Sequence, residues 1–115
     1  NLEYETIPDK TEMAIGRTFT KLWRIKNTGS CTWTENFAIR FVDGELMGAG
    51  ATIKLTDVDI PTYGYAMIEV QFTAPDELGT FRSNWMIVSD DARLFGLGPN
   101  SKGWFWVEIT TFNPN

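Results

Sequence analysis

Five short runs of alternating apolar and polar residues constrain this sequence more than any other feature. Glycine and proline residues stand between the runs and favour turns there. A period of two residues places apolar side chains on one face of a β-strand, and no run keeps a helical period over ten residues. The number and spacing of the runs predict an all-β fold, an antiparallel β-sandwich. The runs comprise residues 18–26, 37–41, 68–72, 81–87 and 105–109.

Large aromatic residues fall on the apolar faces of these runs, where they bury the most area per residue. Lys21 interrupts the apolar face of the first run, which predicts a β-bulge there or an ammonium group that reaches water. Cys31 stands beside a turn, and we expect a buried, unreactive thiol. The predicted structural core comprises Phe19, Trp23, Ile25, Trp33, Phe81, Trp85 and Val107.

The length and charge of the chain limit its partners. A chain of 115 residues has the size of one domain, and we assign residues 1–115 to it. The net charge of −5 repels phosphate groups, so we expect no nucleic-acid partner. No apolar stretch approaches the roughly 20 residues of a membrane span, so we expect no direct membrane insertion. The start at Asn1, without methionine, suggests a processed precursor or an excised domain.

The residue types that most catalytic and metal sites need are missing or isolated. The chain has no histidine, which removes the commonest general base and the usual zinc ligand, and Cys31 alone cannot hold a metal ion. Two carboxylate pairs, in residues 57–59 and 90–91, stand in turns, where solvated or capping roles are expected and weak calcium binding is the alternative. We therefore predict no catalytic residue, no metal site and no cofactor, and a protein that is not an enzyme.

The last run differs from the others because bulky apolar residues stand on both of its faces. If Phe105, Val107 and Ile109 point inward, then Trp104 and Trp106 point outward. Either neighbouring loops cover these two rings or the rings form an exposed patch for a partner, and paired tryptophans can also stack on sugar rings. Our hypothesis places the centre of a protein contact at Trp104, Trp106, Leu94 and Leu97.

Three stretches of the sequence resemble the four-tryptophan (FW) domain, the immunoglobulin-like central domain of the next-to-breast-cancer-one autophagy receptor, which is also found in bacterial proteins. The pattern F-x-K-x-W-x-[IV]-x-N-x-G-x-x-x-W matches residues 19–33, and A-P-x-x-x-G-x-[FY]-x-x-x-W matches residues 74–85. The pairs F-G and W-V follow at residues 95–96 and 106–107. Trp104 is a fifth tryptophan, and residues 44–65 match poorly, so no partner-contacting loop is carried over.

The resemblance implies an immunoglobulin-like sandwich that serves as a non-catalytic protein-binding or assembly module. Bacterial members look like cell-surface or secreted modules, so the expected location is extracellular or in the cell envelope, with the cytoplasm as the alternative. Three other functions stay open: a carbohydrate-binding module that uses surface tryptophans, a structural subunit of a cell-surface complex, and the cargo-binding domain of an autophagy receptor.

Overall fold

The computed structural model describes residues 2–96 and 103–115, and these form two packed β-sheets. One sheet has the strand order β1-β3-β6, and the other has the order β2-β9-β7-β4-β5, with β8 paired to β7 beyond the end of β9. No residue in the two described ranges is helical, and the predicted all-β sandwich is confirmed. The strands are β1 (Leu2–Glu5), β2 (Thr11–Ala14), β3 (Thr18–Lys26), β4 (Ala38–Gly44), β5 (Thr52–Lys54), β6 (Tyr65–Thr73), β7 (Thr80–Val88), β8 (Leu94–Phe95) and β9 (Phe105–Phe112).

One pair of strands departs from the antiparallel prediction. Strands β2 and β9 run parallel, with Thr11 opposite Ile109 and Ala14 opposite Phe112, whereas the other strand pairs are antiparallel. After β1, residues 6–10 carry the chain from the first sheet to the edge of the second sheet, beside its last strand. Within the described ranges, no helix has the length and hydropathy that crossing a bilayer requires.

The core lies between the sheets and consists largely of aromatic rings. Trp23 from the first sheet meets Phe105 and Trp85 from the second, at centroid distances of 5.0 and 6.5 Å. Six of the seven residues assigned to the core from the sequence are buried, and Phe81 is half-buried against its edge. The inward face of β9 is fully covered as well, because Phe105, Val107 and Ile109 expose at most 1% of their surface.

Both expectations for Lys21 were wrong. The pairing of β3 with β6 is regular through Lys21, so there is no bulge at this point, and the side chain is completely buried. Its ammonium group donates to Glu5 Oε1 at 2.7 Å and to the carbonyl oxygens of Thr6 and Ile7. The N-terminal segment thus closes over Lys21 and supplies the acceptors that a buried cation needs.

The expectation of a buried Cys31 was also wrong, because the side chain of Cys31 is an exposed free thiol. The buried member of this turn is Asn27, whose amide donates to the carbonyl oxygens of Cys31 and Ile60 at 2.8 and 3.0 Å. Asn27 thus binds Cys31 only through the backbone carbonyl of Cys31. The side chain of Cys31 takes no part in this contact and lies outside the core.

Candidate functional site

The candidate site lies on the outer face, the side of the β2-β9-β7-β4-β5 sheet that points away from the core. Along β7, Ser83, Trp85 and Ile87 point inward and are fully buried, so Arg82 and Asn84 belong to the outer face. Trp106 of β9 stands opposite Asn84, and Trp104 directly precedes this strand. The period-two pattern of β7 and β9 therefore brings both tryptophans to the outer face.

The two outer tryptophans differ in how the chain holds them. The indole N–H of Trp106 donates to Asp9 Oδ1 at 3.1 Å, and the guanidinium carbon of Arg82 lies 3.9 Å from the ring centroid. The Trp106 ring is thus half-buried and fixed by contacts with two other segments. Trp104 exposes 44% of its surface, so it is the more accessible of the two rings.

A bulge in β4 shapes the surface beside these rings. The pairing of β4 with β7 shifts between Phe41 and Asp43, and Gly44 then adopts a φ of +94°. A Cβ atom at Gly44 would lie 2.0 Å from the carbonyl oxygen of Arg82, so this close approach of the two backbones requires glycine. The backbone N–H of Glu45 donates to the same oxygen at 2.8 Å, which keeps the end of β4 against β7.

Between the bulge and the tryptophans lies a groove of about 660 Å³, which we call the outer groove. Its floor is Asn84, and its rim carries two exposed carboxylates on one side and the tryptophan rings on the other. The residues that line it are Asp43, Gly44, Glu45, Thr80, Phe81, Arg82, Asn84, Trp104 and Trp106.

The structure brings together only part of the patch predicted from the sequence. Trp104 and Trp106 share the outer groove, whereas Leu94 pairs with Val88, four residues along β7 from Asn84. At about 3.3 Å per residue this separation is roughly 13 Å, so Leu94, although 42% exposed, lies beyond the groove. Leu97 lies outside the described residues.

Sequence reasoning missed the polar residues of the groove. Arg82 and Asn84 alternate with the inward Ser83 and Trp85, so the period of β7 alone could have assigned them to the outer face. Asp43 and Glu45 could not have been found in this way, because a bulge changes the faces of the residues that follow it.

A second cavity, of about 450 Å³, lies at the end of the sandwich. Trp33, Phe37 and Phe95 form an aromatic wall, and the exposed Cys31 is among the other residues that line the cavity. In the neighbouring turn, a hydrogen bond from the Ser89 hydroxyl lowers the pKa of Asp91, and the charge of Arg93 acts in the same direction. No group of three or more cysteine or carboxylate side chains in residues 2–96 and 103–115 is placed to hold a metal ion.

The two packed sheets define an immunoglobulin-like domain. Residues 6–111 match the family model described as the Ig-like domain from next to BRCA1 gene, and the chain belongs to this family. The human Next to BRCA1 gene 1 protein is 36% identical over 95 residues, which is 80% of this chain and 10% of that protein. Protein JOKA2 of Solanum tuberosum is 32% identical over 106 residues, covering 88% of this chain and 12% of that protein.

Solved structures support the fold alone, because their sequences are distant. The CARDB domain of PF1109 from Pyrococcus furiosus superposes with a TM-score of 0.58 at 14% identity, over 93% of this chain and 89% of that domain. The chain spans only about a tenth of the human and potato proteins that it matches. The resemblance to the immunoglobulin-like domain of the next-to-breast-cancer-one protein is confirmed. The four-tryptophan assignment is not confirmed, and these relatives, from an animal and a plant, give no support to the bacterial expectation.

Proposed function

We propose that this domain is a non-catalytic protein-binding module and that Trp104, at the outer groove, is the centre of the contact. The observation that carries this proposal is the contrast between an exposed ring and its fixed surroundings. Trp106 is held by Asp9 and Arg82, so the ring that shares the groove with Trp104 is already fixed in place. Preorganised aromatic residues of this kind are typical of binding hot spots, because little side-chain entropy is lost on association.

The exposed part of Trp104 is large enough to matter energetically. A tryptophan of roughly 200 Å² that is 44% exposed leaves on the order of 100 Å² in contact with water. Covering that area at roughly 25 cal/mol per Å² stabilises a complex by about 2 kcal/mol before the costs of association. The Trp104 ring alone can therefore form the centre of a contact, but the choice of partner has to come from the neighbouring residues of the groove.

Among the functions left open by the sequence, the cargo-binding domain of an autophagy receptor has the most support, and with it a cytoplasmic location. The support is the family, the human and potato relatives, and the resemblance to the central domain of the receptor. No finding supports the extracellular or cell-envelope prediction in the same way. The alternative role as a structural subunit of a cell-surface complex is likewise without a supporting finding.

The carbohydrate-binding alternative has a specific observation against it. Sugar-binding tryptophans offer the flat face of the ring, but the Arg82 guanidinium occupies one face of Trp106 at 3.9 Å. The two outer rings thus do not form a bare pair of platforms. A glycan array tests the alternative directly, and binding that depends on Trp104 would favour the carbohydrate over the protein partner.

The proposal is tested by replacing Trp104 with serine. Immobilised wild-type domain and the Trp104→Ser variant are each incubated with extract of the source cells, and the retained proteins are compared by quantitative mass spectrometry. We expect a set of proteins that the wild type retains and Trp104→Ser does not. Tyr4→Ser is the matched control, because Tyr4 is a 55% exposed aromatic residue on the other sheet, and this variant should retain the same set as the wild type.

Two results would overturn the proposal. One is a Trp104→Ser variant that retains the wild-type set while keeping its fold. The other is a Tyr4→Ser variant that loses the same retained proteins as Trp104→Ser. That result would place the contact on the other sheet, or show that removing any exposed aromatic residue lowers retention.

A further inference from the structure

The floor of the outer groove contains a hydrogen-bond acceptor without a donor. Asn84 lies between Asp43 of β4 and Trp106 of β9, and only 4% of its surface is exposed. Its amide nitrogen donates to the backbone carbonyl of Asp43 at 3.3 Å, and its Oδ1 has no partner among the residues that the structure describes. The orientation of the amide follows from this contact, because a carbonyl can only accept a hydrogen bond.

An unpaired buried acceptor is uncommon in folded proteins, because it has lost its hydration without a replacement. The pairing of β7 with β9 is regular at Asn84, but its pairing with β4 shifts there, and the Asn84 amide nitrogen donates to the Asp43 carbonyl at this shift. The fold thus uses the amide nitrogen of Asn84 but not its Oδ1, and a ligand that supplies a donor would use this remaining acceptor.

The charges around the groove indicate which donor fits. Asp43 and Glu45 are exposed at the rim, while Arg82, the one cation among the described residues that line the groove, is stacked on Trp106. Neither ion pair formed within the described residues involves the groove: one joins Lys21 to Glu5 and the other joins Lys54 to Asp57. The two rim carboxylates are thus available to a positive charge from outside, and the net charge of −5 attracts one.

We propose that the outer groove receives an arginine side chain of the partner protein, stacked on Trp104, hydrogen-bonded to Asn84 Oδ1 and paired with Asp43 or Glu45. This inference rests on the proposed protein-binding function and names the chemistry of its partner. Arginine fits better than lysine because its planar guanidinium stacks on an aromatic ring and carries five N–H donors in fixed directions. Since Oδ1 is buried, the exposed side chain of Trp104 shifts when the donor enters, while Arg82 stays on Trp106.

Nuclear magnetic resonance with four synthetic peptides tests the inference. The probes are N-acetylated, C-amidated Gly-Ser-Arg-Ser-Gly and its analogues with lysine, citrulline or glutamate in the central position. We expect the arginine peptide to shift the indole N–H signals of Trp104 and Trp106 and the side-chain amide of Asn84. Lysine should bind more weakly, citrulline should lose most of the affinity because it keeps N–H donors but not the charge, and glutamate should cause no shift.

Two variants separate the charge from the acceptor. Asp43→Asn combined with Glu45→Gln changes only exposed side chains, and it should weaken binding of the arginine peptide about tenfold and remove its salt dependence. Asn84→Leu should weaken binding by a similar factor, about tenfold, while its melting temperature changes little, because the unpaired acceptor and the hydrogen bond to the Asp43 carbonyl are lost together. The control is Glu69→Gln, which neutralises an exposed carboxylate of β6 on the other sheet and should leave binding unchanged.

The inference fails if the glutamate peptide shifts the same signals as the arginine peptide, or if the shifts are confined to the Trp33 indole in the second cavity. It also fails if neutralising Asp43 and Glu45 leaves the affinity unchanged. If Trp104→Ser loses the cellular partner while the Asp43→Asn, Glu45→Gln variant keeps it, the proposed function stands and the arginine contact is wrong.

Discussion

Two pairs of tryptophans pack on opposite sides of the β2-β9-β7-β4-β5 sheet and differ in exposure and in their contacts. Trp23 and Trp85 are completely buried, with ring centroids 6.5 Å apart, while Trp104 and Trp106 stand on the outer face. Trp85 of the inner pair stands opposite Phe105 of β9, and Trp106 of the outer pair is the next residue along β9. A shift of one residue along the paired strands thus separates a tryptophan in the core from one on the outer face.

The polar contacts of the two pairs show the same division. The inner indoles donate within the core, Trp85 to Ser83 Oγ at 2.8 Å and Trp23 to the backbone carbonyl of Trp106 at 3.1 Å. Each pair also has a cation near a ring: buried Lys21 lies 5.9 Å from Trp23, and exposed Arg82 lies 3.9 Å from Trp106. Substitutions at these rings and cations measure how far the two sides of the sheet differ in their contribution to stability.

The largest effect is expected for Trp85→Ala. This ring packs against Trp23, Phe41 and Phe72, so its removal leaves a cavity in the centre of the core. The free energy of unfolding should fall by about 3–5 kcal/mol, a large part of the roughly 5–15 kcal/mol typical of a domain. Urea denaturation followed by circular dichroism measures it. A loss below about 1 kcal/mol would contradict the view that the inner tryptophans stabilise the fold more than the outer ones do.

Lys21→Met should have the next largest effect. The methionine fills a similar volume, but Glu5 and the carbonyl oxygens of Thr6 and Ile7 lose their donor. We expect a loss of about 1–3 kcal/mol, the usual cost of buried acceptors without partners, and faster hydrogen exchange in β3, which β1 covers. Lys54→Met is the control, because its ion pair with Asp57 is exposed, and it should change stability by less than about 0.5 kcal/mol.

Arg82→Ala is expected to cost less than either core change. Stacking of an exposed guanidinium on an aromatic ring contributes roughly 0.5–1 kcal/mol, and the Trp106 ring keeps its hydrogen bond to Asp9. The indole N–H signal of Trp106 should shift while the signals of Trp23 and Trp85 stay in place. An effect as large as that of Lys21→Met would show that the outer face also contributes to the stability of the fold.

Trp104→Ser should have the smallest effect, a change in unfolding free energy within about 0.5 kcal/mol. The ring is 44% exposed, so its loss creates no cavity in the core. Thermal unfolding of the same sample that is used in the binding comparison measures this. A loss of several kcal/mol would mean that Trp104 belongs to the structural core, and the binding surface would then have to lie elsewhere.

The alternation of apolar residues determined the fold class and the faces of most strands without any tertiary information. In β9, Phe105, Val107 and Ile109 point inward. Trp106 and the preceding Trp104 point outward, because the side chains of a strand alternate with a period of two. The aromatic spacing of residues 19–33 and 74–85 was specific enough to indicate the family. These features are local, so neighbouring residues alone define them.

Only the tertiary structure decided what surrounds those faces. Lys21 is buried because the segment of residues 5–7, which lies 14–16 residues earlier in the chain, closes over it. The outer groove exists because the bulge in β4 and strand β9, about 60 residues later in the chain, lie on either side of Asn84. Neither contact has a signature in the residues next to it in sequence. The sequence therefore determined that Trp104 and Trp106 point outward, and the packing of distant strands decided which charges and which unpaired acceptor stand beside them.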